Sequence, residues 1–213
     1  LKMGIPYYFS FLIKNHKNII NNLNNLNNID NLYLDCNSIV YDSIDYKEFK
    51  NLIVFEKKLI EKIIFKINYI IKIIKPTKKI IIAFDGVPPF AKITQQKTRR
   101  YKSHYESLLK NKTLLWDTCS ITPGTNFMNN LNIQITNYFN NNNQIILSLS
   151  DIPGEGEHKI FEYIRNNNHS NDSTLIYGMD ADLIMLALNH LQYCKNIYLY
   201  RETPIFIKSL NSS

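Results

Sequence analysis

Cysteine is scarce in this chain: Cys36, Cys119 and Cys194 are the only three in 213 residues. An odd number at wide spacing fits neither a disulfide framework nor a clustered zinc site, and it points to a reducing compartment. Long apolar runs are also missing. The longest, such as 80–83, are far too short to span a bilayer, and the N-terminal LKMGIPYYFSFLIKNH lacks the small-residue cleavage site of a secretory signal. These absences read as a soluble intracellular protein. Arginine is rare, since 21 of the 25 basic residues are lysine. The net charge of +7 favours anionic partners without identifying one. No lysine–arginine tract occurs beyond Arg99-Arg100, so cytoplasm is expected rather than nucleus. There is no internal repeat. The first residue is Leu rather than Met, and the chain is expected to be an excerpt of a longer one.

What is present is enough for a core, at 45% hydrophobic composition. Asparagine, isoleucine, lysine and tyrosine abound together, as AT-rich coding produces. NNLNNLNNIDN (21–31) reads as the end of a helix and a polar connection, and NNNHSNDS (166–173) as a surface loop; neither carries function. Residues 31–35, NLYLD, read as a short buried strand ending in an acid. The spacing of apolar residues over 47–74 predicts a long helix stopped by Pro76. A second strand covers 79–86, again ending in an acid, Asp85, and a polar helix is expected over 94–116. A third strand covers 144–149, followed by a Pro-Gly turn and a helix over 157–166. A fourth covers 175–182, with a helix from Leu183, and a fifth covers 195–200. Strands alternating with helices predict a three-layer α/β fold around a mostly parallel sheet. Ligands in such sheets bind beyond the carboxyl ends of the strands.

Acids fall at those ends repeatedly: Asp35, Asp85, Glu155, Glu157, Asp180 and Asp182. A single Asp after a strand is usually a cap or turn residue, and Asp151 is read that way. Six carboxylates gathered at one sheet edge would instead repel one another and raise each other's pKa. Divalent cations reverse that penalty, and oxygen-only donors suit magnesium or manganese. Two such ions about 4 Å apart can hold a scissile phosphate and activate water. His158 is read as a local hydrogen-bonding partner rather than a ligand.

A second constellation lies in FAKITQQKTRRYKSHY. On a helix, Lys92, Gln96 and Arg100 stand at steps of four with Arg99 beside them. One ammonium, one amide and two guanidinium forks suit a terminal phosphate; the alternative is a solvated face. Lys97, Lys102 and Lys110 either belong to such a face or track backbone phosphates. Tyr41 either stacks on a base or sits in the core. Trp116, the only tryptophan, and Tyr7, Tyr8, Phe9 and Phe11 are read as packing residues.

With these residues in view, the chain resembles the N-terminal catalytic region of the XRN-type 5′-to-3′ exoribonucleases. The blocks that carry the resemblance are MGIPYYFSFL (3–12), LYLDCNSIVY (32–41), IIAFDGVPPFAKITQQKTRRYKS (81–103), ITPGTNFM (121–128), SDIPGEGEHKI (150–160) and YGMDADLIML (177–186), with YRE at 200–202. They are collinear over nearly the whole chain. The resemblance implies a 5′ nuclease core of the PIN/FEN-like type, with 1–213 as its N-terminal part. It implies a magnesium or manganese site of two ions on the six acids, and a 5′-monophosphate pocket of Lys92, Gln96, Arg99 and Arg100. The implied substrate is single-stranded RNA bearing that phosphate, released as mononucleotides. Tyr41 replaces a histidine that stacks on the 5′-end base, and Ser38 replaces a glycine. A seventh acid and the remaining catalytic segments are expected downstream of Ser213. Two rivals share parts of this pattern: a structure-specific DNA 5′ nuclease, with the same acid layout, and a catalytically silent RNA-binding protein.

Overall fold

The computed structural model describes residues 8–23, 26, 28–109 and 116–202. Tyr7, Lys110 and the stretch 110–115 of the expected polar helix lie outside them.

Five strands form one sheet: β1 (Asn31–Asp35), β2 (Lys79–Ala83), β3 (Ile145–Ser148), β4 (Ser173–Tyr177) and β5 (Asn196–Tyr200). Their order is β3-β2-β1-β4-β5, and every pairing is parallel. Among the described residues are seven α-helices, α1 (Tyr8–Asn15), α2 (Asn37–Asp42), α3 (Leu52–Ile74), α4 (Phe90–Leu109), α5 (Asn126–Phe139), α6 (Gly156–Asn166) and α7 (Asp182–Asn189), and three short 3-10 turns. The chain walks outward from β1 to β3, then returns across the sheet to β4. The strand order therefore reverses between β1 and β4, where open α/β sheets form a crevice.

Strand alternation puts both faces to work. Leu32, Leu34, Ile80, Ile82 and Phe84 join one core with Phe55, Leu59, Ile63 and Ile67 of α3 and with Leu131 and Ile135 of α5. Tyr33, Ile81, Ala83 and Ile176 join a second core with Ile160, Phe161 and Ile164 of α6 and Leu183 of α7. Helices thus cover both faces, which makes the three layers.

Local chemistry sets the helix limits. Asn51 caps α3 by accepting from the Val54 amide at 2.9 Å. Lys75, in the left-handed region at φ 51°, ends it, one residue before Pro76. The long helix read over 47–74 therefore starts later, after a single 3-10 turn at Tyr46–Glu48. The Thr125 hydroxyl caps α5 through the Met128 amide and donates to carbonyls of the preceding turn, so the ITPGT block is a cap-building segment.

The second and fourth strands stop at Ala83 and Tyr177, before the acids expected to end them, and three further expectations need correction. Helix α1 ends at Asn15 and a 3-10 turn follows at Lys17–Ile19, so this helix stops ahead of the end expected over 21–31. The loop over 166–173 is not wholly superficial: His169 is buried, and the Tyr33 hydroxyl meets its Nε2 at 2.5 Å. The reason is a β-strand tyrosine whose hydroxyl needs a partner once its ring is buried. Phe11 stands exposed rather than packed. Trp116 lies outside the described extent of α4 but packs as expected, against Phe55 and Phe127, with its indole N–H donated to Glu56. Among the described residues, no helix is long and apolar enough to cross a membrane.

Candidate active site

Each parallel strand delivers its following loop to the same carboxyl edge, and the acids arrive there with them. Asp35 is the last residue of β1, Asp85 follows β2, and Asp180 follows β4. Glu155 holds the N-cap position of α6 and Glu157 lies in its first turn. Two adjacent like charges are tolerable there because the open amides of a helix start favour anions. Gly154, at φ 102°, makes the turn that aims α6 at the edge. Gly156 has no room for a side chain: a Cβ would stand 2.5 Å from Asp35 Oδ1. Its amide donates to Asp85 Oδ1 at 2.7 Å.

Asp35, Asp85, Glu155, Glu157 and Asp180 together line a cavity of about 390 Å³ at the crevice beside β1. Asp182 does not line it, although its charge still acts on Glu157. Lys92, Gln96, Arg99 and Arg100 of α4 form a second wall of the same cavity, and Tyr41, Ile121, Pro123 and Met179 supply apolar surface. Tyr41 is not a core residue. It projects from α2 into the cavity and is 46% exposed. Ser38 lines the cavity as well.

The acids are electrostatically unsettled. Burial pushes the Asp35 carboxyl well above its usual range, and the charges of Asp85, Glu157 and Asp180 push it further. Burial also raises Asp85, against the Gly156 amide, and lifts Glu157 to about 7. Two carboxylate oxygens, Asp35 Oδ1 and Glu155 Oε1, are buried with no hydrogen-bond partner. Buried carboxylate oxygens are rarely left alone, because their desolvation costs several kcal/mol. A hard divalent cation fits this donor set, which is all oxygen apart from one imidazole. Glu155, Glu157 and His158 offer ligand atoms within 4.8 Å of one another. His158 Nε2 is 3.6 Å from Glu155 and 4.0 Å from Glu157, so the local hydrogen bond expected of it is not made to these neighbours.

The two walls touch. Lys92, expected in the phosphate cluster, reaches across so that its Nζ donates to Glu155 Oε2 at 2.5 Å. Burial opposes its charge, but that bond and the surrounding acids hold its pKa above the ordinary lysine value. Arg100 donates to Gln96 at 3.4 Å, one helical turn away. One residue went unassigned in the sequence: the Asn37 amide group donates to Asp85 Oδ2 at 2.6 Å while its oxygen accepts from the Asp85 amide at 3.0 Å. Its only signal was a polar residue two positions after a buried strand.

Comparison with known proteins follows the same lines. The family described as XRN 5′-3′ exonuclease N-terminus matches residues 3–203. The 5′-3′ exoribonuclease 1 of Saccharomyces cerevisiae is 36% identical over 217 aligned positions, covering 88% of this chain and 14% of that protein. The 5′-3′ exoribonuclease 2 of Schizosaccharomyces pombe is 34% identical over 193 positions, covering 74% of this chain and 19% of that protein. The corresponding protein of Cryptococcus neoformans is also 34% identical, over 74% of this chain and 17% of its own length. The chain thus spans less than a fifth of these relatives.

Proposed function

The chain belongs to the XRN 5′-3′ exonuclease N-terminal family, and from that premise we propose that it forms the acid-bearing part of a metal-dependent 5′-3′ exoribonuclease. The single observation that carries this reading is one cavity with two chemically opposite walls: carboxylates with two buried, partnerless oxygens on one side, and an amide with three cations on the other. Asp35, Asp85, Glu155, Glu157 and Asp180 of the cavity, with Asp182 beside it, would hold magnesium or manganese, in two positions once a further acid from downstream joins them. The sheet with its acid edge is then the core of a PIN/FEN-like 5′ nuclease, and residues 1–213 its N-terminal part. Bound ions supply a lowered pKa for the attacking water and charge neutralisation at the scissile phosphate.

The substrate is single-stranded RNA with a 5′-monophosphate. Arg99 and Arg100 offer planar forks to the phosphate oxygens. Gln96 adds a neutral donor, and Lys92 stands between that phosphate and the acids. Tyr41 presents a ring face to the terminal base, a contact that tolerates any base identity.

Rates measured side by side on 5′-monophosphorylated RNA, 5′-hydroxyl RNA and flapped DNA, with manganese present, test the proposal. Preference for the first substrate with release of nucleoside 5′-monophosphates is expected. Faster cleavage of flapped DNA would establish a structure-specific DNA nuclease instead. Binding of RNA without mononucleotide release, by the protein carrying its complete downstream catalytic segments, would establish a silent RNA-binding protein.

A further inference from the structure

Between β2 and β3 the last ladder hydrogen bond runs from the Phe84 amide to the Ser148 carbonyl at 3.0 Å. Past it the two chains part. One forms the loop carrying Asp85, and the other turns through Pro153-Gly154 to Glu155. The loops meet again above the fork, where Gly86 donates to Gly154 at 2.8 Å and Gly154 to Val87 at 2.9 Å. At the fork itself stand two carbonyls, of Phe84 and Leu149, whose oxygens have left the ladder. Lys159 Nζ donates to both, at 2.8 Å each. Its stem passes under the turn, with Cγ 3.7 Å from the position a Cβ on Gly154 would take.

We propose that Lys159 is a positioning residue: its ammonium closes the β2–β3 fork and so sets the separation of Asp85 from Glu155. An ammonium suits the fork because it offers three donors and accepts nothing, so two diverging carbonyls can share it. It comes from α6, the helix whose start carries Glu155 and Glu157, so one side chain ties that helix start to the ends of both strands. Lys159 does not itself line the cavity. Its effect reaches substrate only through the acids, and the inference rests on their reading as a metal site.

The test uses the full chain with Lys159→Met, which keeps the stem and removes the donors, and Lys159→Gln, which keeps an amide donor pair without the charge. Asp85→Asn serves as reference. Manganese affinity is titrated calorimetrically without RNA, well below each Tm, and kcat and KM are measured on 5′-monophosphorylated RNA. Groups that orient metal ligands typically contribute 10–100-fold to metal affinity or activity. Lys159→Met is therefore expected to weaken manganese binding about tenfold or more and to lower kcat with KM nearly unchanged. Lys159→Gln is expected to recover part of both, and it carries the test alone if the Met variant does not fold, with a smaller loss than Asp85→Asn. A lowered Tm with unchanged manganese affinity and kcat would overturn the proposal, leaving Lys159 a purely structural bond. Tighter manganese binding in both Lys159 variants would overturn it too, since loss of a positive charge beside the acids, rather than loss of the clamp, would then act. If Asp85→Asn also leaves manganese binding unchanged, the metal reading itself is what fails.

Discussion

The two edges of the sheet carry the same kinds of residue in opposite states. At the amino edge, Asp30 accepts from the Ser173 amide and the Thr77 hydroxyl, and Lys78 bridges to Asp172 at 2.5 Å. Asn31 donates to Asp172 as well. The Ser173 amide holds Asp30 below the usual carboxylate range, and hydrogen bonds from Lys78 and Asn31 hold Asp172 below it against the pull of burial. At the carboxyl edge, burial and mutual repulsion hold Asp35, Asp85 and Glu157 above that range, and two oxygens have no partner. Partnered acids stabilise the fold. Partnerless ones store an unfavourable charge that a cation can relieve.

The largest effect expected of this difference is catalytic. Asp180→Asn removes one charge at nearly constant shape, and kcat on 5′-monophosphorylated RNA should fall by about a hundredfold or more, with KM nearly preserved. Asp35→Asn should do the same while raising the Tm of the metal-free protein, because one member of a repelling buried group becomes neutral. Asp172→Asn at the other edge should lower Tm and leave kcat alone. If Asp35→Asn and Asp172→Asn shift metal-free Tm in the same direction, the contrast between the edges is broken.

The cationic wall offers the next test. Truncating a charged hydrogen-bond partner that is shielded from water costs roughly 2–5 kcal/mol. Arg99→Ala or Arg100→Ala should therefore depress kcat/KM on 5′-phosphorylated RNA tens-fold, and far less on 5′-hydroxyl RNA, at two salt concentrations. Equal losses on both ends at every salt would mean a general electrostatic role instead.

Stability against pH sharpens the comparison further. The Glu157 carboxyl titrates near 4.5 when unfolded and about 7 when folded, so the native protein binds more protons across that window. Metal-free stability is then fully present below about pH 4.5 and declines as pH rises toward 7, by on the order of 1–3 kcal/mol. Raised Asp35 acts in the same sense. Millimolar magnesium should flatten the decline, since ligands that bind only the native state stabilise it. Denaturation midpoints across this range, with and without magnesium, check both statements. A rise with pH in the metal-free protein would contradict them.

The smallest effect belongs to the amino edge and has the opposite sign. Asp30 and Asp172 are depressed, so their contribution is present above the ordinary aspartate range and is lost as pH falls through the folded values. Lys78→Met should lower Tm slightly at neutral pH, with the difference vanishing in acid.

Much of the architecture was legible because it follows from local rules. NLYLD and KIIIA read as strands since a sheet covered on both faces makes them apolar throughout, and the spacing of Phe55, Leu59, Ile63 and Ile67 marks one buried helix face. The six acids were legible as a set because parallel strands all end at the same edge. The exclusion of Asp182 from the cavity was not, since one helical start decides which of two nearby acids turns inward.

The sequence by itself determined the order of strands and helices, the chemistry of the acids and of the α4 face, and the family, because residue type and spacing carry these directly. Only the tertiary structure decided which groups meet. Lys92 bonding Glu155 rather than lying wholly with the arginines, Asn37 locking Asp85, and Lys159 at the β2–β3 fork each join segments that are distant in the chain or diverging in space. Such contacts depend on where the strands part and how closely α6 approaches them, and an ammonium carries no mark in sequence of the carbonyls it will find.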